Sequence, residues 1–280
     1  SLRERAYAIE DQLVAFRRDL HMHPELSFQE FETGKKIVAR LEKLGIEVQT
    51  GVADTGVVGI LRGGVAGTDA PVVALRGDID ALPIHELNEV PYRSTVENVM
   101  HACGHDVHTT SLLGAAMLLS EIRDKLPGTV KFLFQPAEEV NKGAKAMIAA
   151  GVLKNPDVDA IFGLHTSPNI PAGQVGVKPG PLMAAVDTLR IHVFGEGGHG
   201  AVPDRARDAI VATSAIVQSL QSIVGRNVSP FDAAVVTIGT INGGKANNVI
   251  ADQVDMSGTC RSYEPHVRKM LPEAVKRVVH

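Results

Sequence analysis

Tryptophan is absent from this chain, cysteine occurs twice, and aromatic residues make up only 4% of the 280 positions. Two cysteines, Cys103 and Cys260, are too few for a disulfide framework, so a reducing cytoplasm is the default compartment. No uninterrupted apolar run approaches the roughly 18 residues of a membrane-spanning helix, and no membrane partner is expected. The opening stretch "SLRERAYAIEDQLVAFRRDLHMHPE" mixes acids and bases like an amphipathic surface helix and does not read as a signal peptide. Positive charge is not in excess either. With 28 basic residues against 32 acidic ones the formal net charge is −4, and no basic stripe invites nucleic acid. Hydrophobic residues at 44% and charged residues at 21% leave an ordinary globular protein, long enough for about two domains.

Two helical stretches are expected first, over about residues 2–21 and 29–44. In the second, Phe31, Ile37, Val38, Leu41 and Leu44 leave a polar opposite face, and Gly45 is a stop signal. Short apolar runs then read as strands: "TGVVGILRG", "PVVALRGD", "GTVKFLFQP", "DAIFGLHT" and "GQVGVKP". Helical segments at about 106–125 and 142–151 lie between them. The alternation predicts an α/β fold with a mostly parallel sheet and flanking helices over residues 1–186. From about residue 187 the pattern becomes β-α-β-β-α, with "DTLRIHVFGEG", "AAVVTIGTINGG" and "DQVDMSGTCRS" as strands and a final helix in "EPHVRKMLPEAVKRVVH". That order is a ferredoxin-like α+β motif one strand short, so residues 187–280 form an expected second domain.

Candidate chemistry collects at the ends of the strands. "VVALRGDID" ends in Asp78 and Asp80, "VKFLFQPAEE" in Glu138 and Glu139, and "AIFGLHT" in His165. Ligands in open α/β sheets gather at the carboxyl ends of strands. "HACGHDVH", residues 101–108, adds Cys103 and His105 just before an expected helix whose N-cap is Asp106, with His101 and His108 as neighbours. There the helix dipole and a bound cation would both favour a thiolate. Each feature has a plainer reading: an incidental loop, a solvated pair of glutamates, a buried histidine, or turn aspartates. Their meeting at one sheet edge favours a shared site for a borderline ion such as zinc, manganese, nickel or cobalt. Hydrolytic metal sites need a ligand and a separate base, which Glu138 and Glu139 could supply. Spacing leaves open which is which. A cysteine hydrolase using Cys103 is the alternative, though it gives Glu138, Glu139 and His165 no work.

Together, "RGDIDALP", "MHACGHDVHTTSLLGAA", "QPAEE", "GLHTSPNIPAGQVGVKPGPLMAA", "GEGGHGAVP" and "NVIAD" resemble the dinuclear metal amidohydrolases of the aminoacylase/carboxypeptidase superfamily. The nearest branch is that of hippurate hydrolase, N-acyl-amino-acid amidohydrolases and auxin-conjugate hydrolases. The resemblance implies two divalent metal ions held by Cys103, His105, Glu139 and His165, with Glu138 as general base and Asp80 orienting the site. Other branches carry a histidine ligand where Asp78 stands, which makes Asp78 an unexpected ligand here. It further implies that residues 187–280 are a lid and homodimerisation domain. His199 would stabilise the oxyanion in the partner's site, and Asn248 and Arg261 would hold the substrate carboxylate. The implied substrate is a small N-acyl amino acid.

One departure is expected to matter. The family returns to its catalytic domain after the lid and supplies a last metal-binding histidine, whereas this sequence stops at His280, short of a closing lid strand. The sequence is therefore expected to be a fragment of a longer enzyme, and the fragment alone to be inactive. A non-catalytic metal-binding dimer is the other possibility.

Overall fold

The computed structural model describes residues 1–67 and 69–280. The chain divides into two compact units, Ser1–Pro171 and Ala172–His280. The expected division after residue 186 falls inside the second unit. Among the described residues, 172–184 contain no helix or strand, and the expected strand "GQVGVKP" does not form. Val175 and Val177 are 87% and 88% exposed there, so no neighbouring strand completes a ladder.

In the first unit the opening helix is broken at Ile9 into α1 (Leu2–Ala8) and α2 (Glu10–Met22). Helix α3 (Phe31–Lys43) follows, then β1 (Glu47–Val52), which the sequence pattern did not announce, β2 (Gly56–Arg62) and β3 (Val72–Asp78). Helix α4 (His105–Glu121), β4 (Thr129–Gln135), α5 (Gly143–Ala149) and β5 (Ala160–Gly163) complete it. The sheet order is β1-β2-β4-β3-β5. Strands β3, β4 and β5 pair in parallel, β2 is antiparallel to both β4 and β1, and so four of the five strands share one direction.

Period-two alternation puts opposite residues of β2 and β4 into separate cores. Val57, Leu61, Phe132 and Phe134 pack with Phe16, Leu20, Ile37, Leu41, Leu112 and Leu113 from α2, α3 and α4. Val58, Ile60 and Leu133 face the other way, onto Met147 and Val152. Each such buried Leu, Ile or Phe contributes roughly 1.5–3 kcal/mol. The register then lines up the carboxyl ends: Asp78 sits opposite Gln135, and Arg76 opposite Gly163. Whatever follows these three strands emerges along one edge.

The second unit has its own core. Strands β6 (Ala185–Phe194), β8 (Ala234–Gly243) and β10 (Gln253–Ser262) form an antiparallel sheet in the order β6-β10-β8. Helices α6 (Ala209–Asn227) and α7 (Pro265–Val279) supply Leu220, Ile223, Leu271 and Val275 against Ile191, Val193, Val254 and Met256. Asp208 caps α6 by accepting from the Ile210 and Val211 amides. A two-stranded ribbon pairs β7 (Gly198–His199) with β9 (Val249–Ile250).

Asp106 is not the N-cap of α4; Gly104 takes that position in a left-handed conformation. Asp106 sits inside the first turn, buried, because its carboxylate is needed elsewhere. Its Oδ2 lies 2.7 Å from Nδ1 of His21 on α2 and 2.7 Å from Nε of Arg17. The other ring nitrogen of His21 meets Glu86 Oε1 at 3.1 Å. Two carboxylates thus bracket one imidazole and fasten α2 to the start of α4. The Asp106 hydrogen bond, foremost, raises the His21 pKa against the opposing effect of burial. The ion-pair contribution is fully present below the unfolded value of about 6.5 and is lost as pH rises through the raised folded value. His21→Gln should cost about 2 kcal/mol near pH 6 and progressively less in alkaline solution. Urea unfolding at several pH values checks this; a cost that does not change with pH would contradict it.

Candidate metal centre

The segment between His101 and His105 reaches the sheet edge through one backbone feature. Gly104 has φ +88°, and a Cβ there would stand 2.5 Å from Thr166 Oγ1. Both the left-handed backbone and the close approach of the loop after β5 require glycine. The turn leaves Cys103 Sγ 3.4 Å from His165 Nε2, although the two residues are 62 positions apart in sequence.

His105 is fully buried, and its tautomer follows from its neighbours. Nδ1 lies 2.8 Å from the Asp80 carbonyl and 3.2 Å from Asp80 Oδ1, both acceptors, so Nδ1 carries the proton and donates. Nε2 then faces a group of carboxylates: Asp78 Oδ2 at 3.5 Å, Glu139 Oε1 at 3.7 Å and Glu138 Oε2 at 3.9 Å. Three overlapping sets of potential ligands result: Cys103, His105 and His165; His105, Glu138 and Glu139; and Asp78, His105 and His108. In the last set, His108 and one oxygen of Asp78 are committed elsewhere. Nδ1 of His108 donates to Asp78 Oδ1 at 2.6 Å, and its Nε2 accepts the Thr166 amide at 2.8 Å. Arg76 Nη1 lies 2.7 Å from the other Asp78 oxygen. Burial pushes the Asp78 carboxyl up, but the His108 hydrogen bond and Arg76 outweigh it and hold it at about 2.

The remaining donors fit divalent cations. His105 Nε2 and Glu139 Oε1 are buried without a hydrogen-bond partner among the described residues. Orphaned polar atoms of this kind are costly unless something pairs with them. A thiol, two imidazoles and a carboxylate form a donor set suited to zinc-like ions. His105 receives the outer support that metal-binding histidines usually have, an acceptor on the far ring nitrogen. Asp80 supports Glu139 as well, since its Oδ2 accepts the Glu139 amide at 3.0 Å and the Ser27 hydroxyl at 2.6 Å.

The two glutamates differ in exposure. Glu139 is the more enclosed, with its side chain 18% exposed and an orphaned oxygen, whereas the Glu138 side chain is 38% exposed. The expected thiolate, however, is not favoured by the protein's own groups. Burial, and after it the Glu139 carboxylate, push the Cys103 thiol up to about 12.

The candidate residues of the second unit occupy two places within it. His199 lies in the β7–β9 ribbon, and the Asn248 carbonyl accepts the amide of the next residue, Gly200, at 2.8 Å. Arg261 lies exposed on β10, in register with Val186. Sequence reasoning missed Ser27, Arg76 and Thr166 as supports of the first unit's cluster. Only the strand-end position of Arg76 could have pointed to its role.

The profile of Peptidase family M20/M25/M40 matches residues 74–277. N-acetylcysteine deacetylase of Bacillus subtilis (strain 168) is 48% identical over 272 residues, covering 97% of this chain and 70% of that protein. IAA-amino acid hydrolase ILR1-like 4 of Arabidopsis thaliana is 45% identical over 269 residues, 96% of this chain and 60% of that one. Among solved structures, the Bacillus subtilis YXEP protein, a dinuclear metal binding peptidase from the M20 family, superposes with a TM-score of 0.80 at 44% identity. That match covers 98% of this chain and 70% of the other. The chain thus spans 60 to 70% of the length of these relatives.

A thiol held near 12 reacts slowly with alkylating agents. In metal-free protein, iodoacetamide should modify Cys103 slowly at neutral pH, with a rate that climbs above about pH 10. Mass spectrometry of the Cys103 peptide over a pH series checks this. A rate that levels off below pH 8 would instead reveal an activated nucleophile.

Proposed function

The chain belongs to peptidase family M20/M25/M40, and on that premise we propose that it serves metal-dependent hydrolysis of the amide bond in N-acyl amino acids. The observation that carries this reading is the pair of buried, unpartnered atoms His105 Nε2 and Glu139 Oε1 beside Cys103 and His165. Cys103, His105, Glu139 and His165 would hold two divalent cations, with zinc, manganese, nickel and cobalt all compatible with the donors. When bound, such cations polarise a carbonyl and make water acidic near neutral pH.

The chain's own groups divide the remaining work. Glu138, the more open of the two glutamates, takes the proton of the attacking water and returns a proton to the departing amine. Asp80 keeps His105 in the tautomer that presents Nε2 and fixes the Glu139 backbone. His108 and Asp78 hold the Thr166 amide, and with it the backbone next to His165. His199, Asn248 and Arg261 carry the roles implied by the resemblance: His199 stabilises the developing oxyanion in the partner's site, and Asn248 and Arg261 bind the substrate carboxylate. The second unit serves as lid and homodimer contact. A cytoplasmic setting fits two free cysteines. A cysteine hydrolase is disfavoured by a Cys103 thiol held near 12.

Glu138→Gln in the full-length protein should retain wild-type metal content while kcat on N-acetyl amino acids falls by about 10²–10⁴-fold. Metal analysis together with steady-state kinetics checks both halves. Undiminished turnover would remove Glu138 from the base role. A wild-type protein that binds metal but hydrolyses none of a broad N-acyl panel would favour a non-catalytic homologue.

A further inference from the structure

Glu138 and Glu139 lie in a turn, "QPAEE", closed on its far side by the Asn141 amide donating to the Glu138 carbonyl at 2.8 Å. The residue before them, Ala137, has φ +51°, a left-handed conformation that a residue with a Cβ rarely holds without help. Ala137 is completely buried, so its amide cannot turn to water for a partner. Its carbonyl accepts from the Gly143 amide at 3.1 Å, which fixes the far side of the peptide. The near side depends on a residue 107 positions earlier: the Ala137 amide donates to Glu30 Oε1 at 2.9 Å.

Glu30 precedes α3 and has no exposed surface. Its second oxygen, Oε2, accepts the Thr55 hydroxyl at 2.5 Å, which sets the plane of the carboxylate. The helix carrying it is seated closely on that partner, since a Cβ on Gly34 would stand 3.2 Å from the Thr55 carbonyl. Glu30 therefore has a fixed reach. Two residues further along the turn, the Glu139 amide donates to Asp80. The amides of Ala137 and Glu139, on either side of Glu138, are thus held by two buried carboxylates, one just before α3 and one just beyond β3.

We propose that Glu30 is a positioning residue for Glu138 and Glu139, acting through the Ala137 amide to keep the left-handed turn that aims both side chains at the cluster around His105. This role presupposes that Glu138 and Glu139 act as base and ligand, as proposed above. What Glu30 supplies is an acceptor at a set distance; its charge is secondary. Glutamine in its place keeps the reach, with its carbonyl oxygen toward Ala137 and its amide toward Thr55. Aspartate keeps the charge and falls one methylene short.

The test compares Glu30→Gln, Glu30→Asp and Glu30→Ala in the full-length protein. Three measurements are made on each: affinity for cobalt(II) followed by visible absorption, kcat and KM on an N-acetyl amino acid, and melting temperature. Glu30→Gln should stay within about threefold of wild type in cobalt affinity and kcat, while Glu30→Asp and Glu30→Ala lose about 10–100-fold in each. KM should move far less than kcat. The proposal is overturned if Glu30→Asp matches wild type, if Glu30→Gln falls as far as Glu30→Ala, or if the variants lose only melting temperature. Should Glu30→Ala fail to fold, the contrast between Gln and Asp still decides. If the wild type hydrolyses no N-acyl amino acid, the functional reading fails by itself, and the cobalt affinities still judge Glu30.

Discussion

One buried carboxylate, Asp80, joins the parts of the candidate metal centre that come from different segments. It accepts from His105 Nδ1, from the Ser27 hydroxyl and from the Glu139 amide. Burial pushes its carboxyl up, but these hydrogen bonds, that of His105 first, outweigh burial and leave its pKa lowered. Because Asp80 stays ionised, His105 must protonate Nδ1 and expose Nε2, and the turn carrying Glu139 is fixed at the same moment. The α4 start and the turn after the β4 end, at His105 and Glu139, are set by one group.

The electrostatics of the cluster have one sense. Asp78, Glu138 and Glu139 crowd the free face of His105, and Glu139 also bears on Cys103. Without a cation, the thiol keeps its proton. His105 is pushed down by burial, yet the surrounding carboxylates raise it overall. A divalent cation replaces those protons, so binding is coupled to proton release and strengthens as pH rises. The fold tolerates this concentration of like charge because Arg76 and His108 absorb Asp78.

Much of the first unit was legible because its signals are local. The runs "VVALRGD" and "VKFLFQ" became β3 and β4, and Glu138 and Glu139, just beyond β4, come within reach of His105 at the start of α4. What was not legible depends on distant partners. "GQVGVKP" has a strand's composition but no neighbour to pair with among the described residues. Asp106 has the composition of a cap but is drawn into the helix by His21, 85 positions away. Strand β1 was hidden because most of its residues face solvent and carry no apolar alternation. Glu30 reads as one more acid in a charged stretch until the Ala137 amide is seen against it.

The central claim is that Cys103 belongs to a metal shell with His105, Glu139 and His165. X-ray absorption at the zinc edge of the zinc-loaded full-length protein tests it most directly. The account predicts a sulfur scatterer at about 2.3 Å among nitrogen and oxygen ligands, lost when Cys103 is replaced by serine. A shell made only of nitrogen and oxygen, or a sulfur signal indifferent to Cys103→Ser, would contradict it.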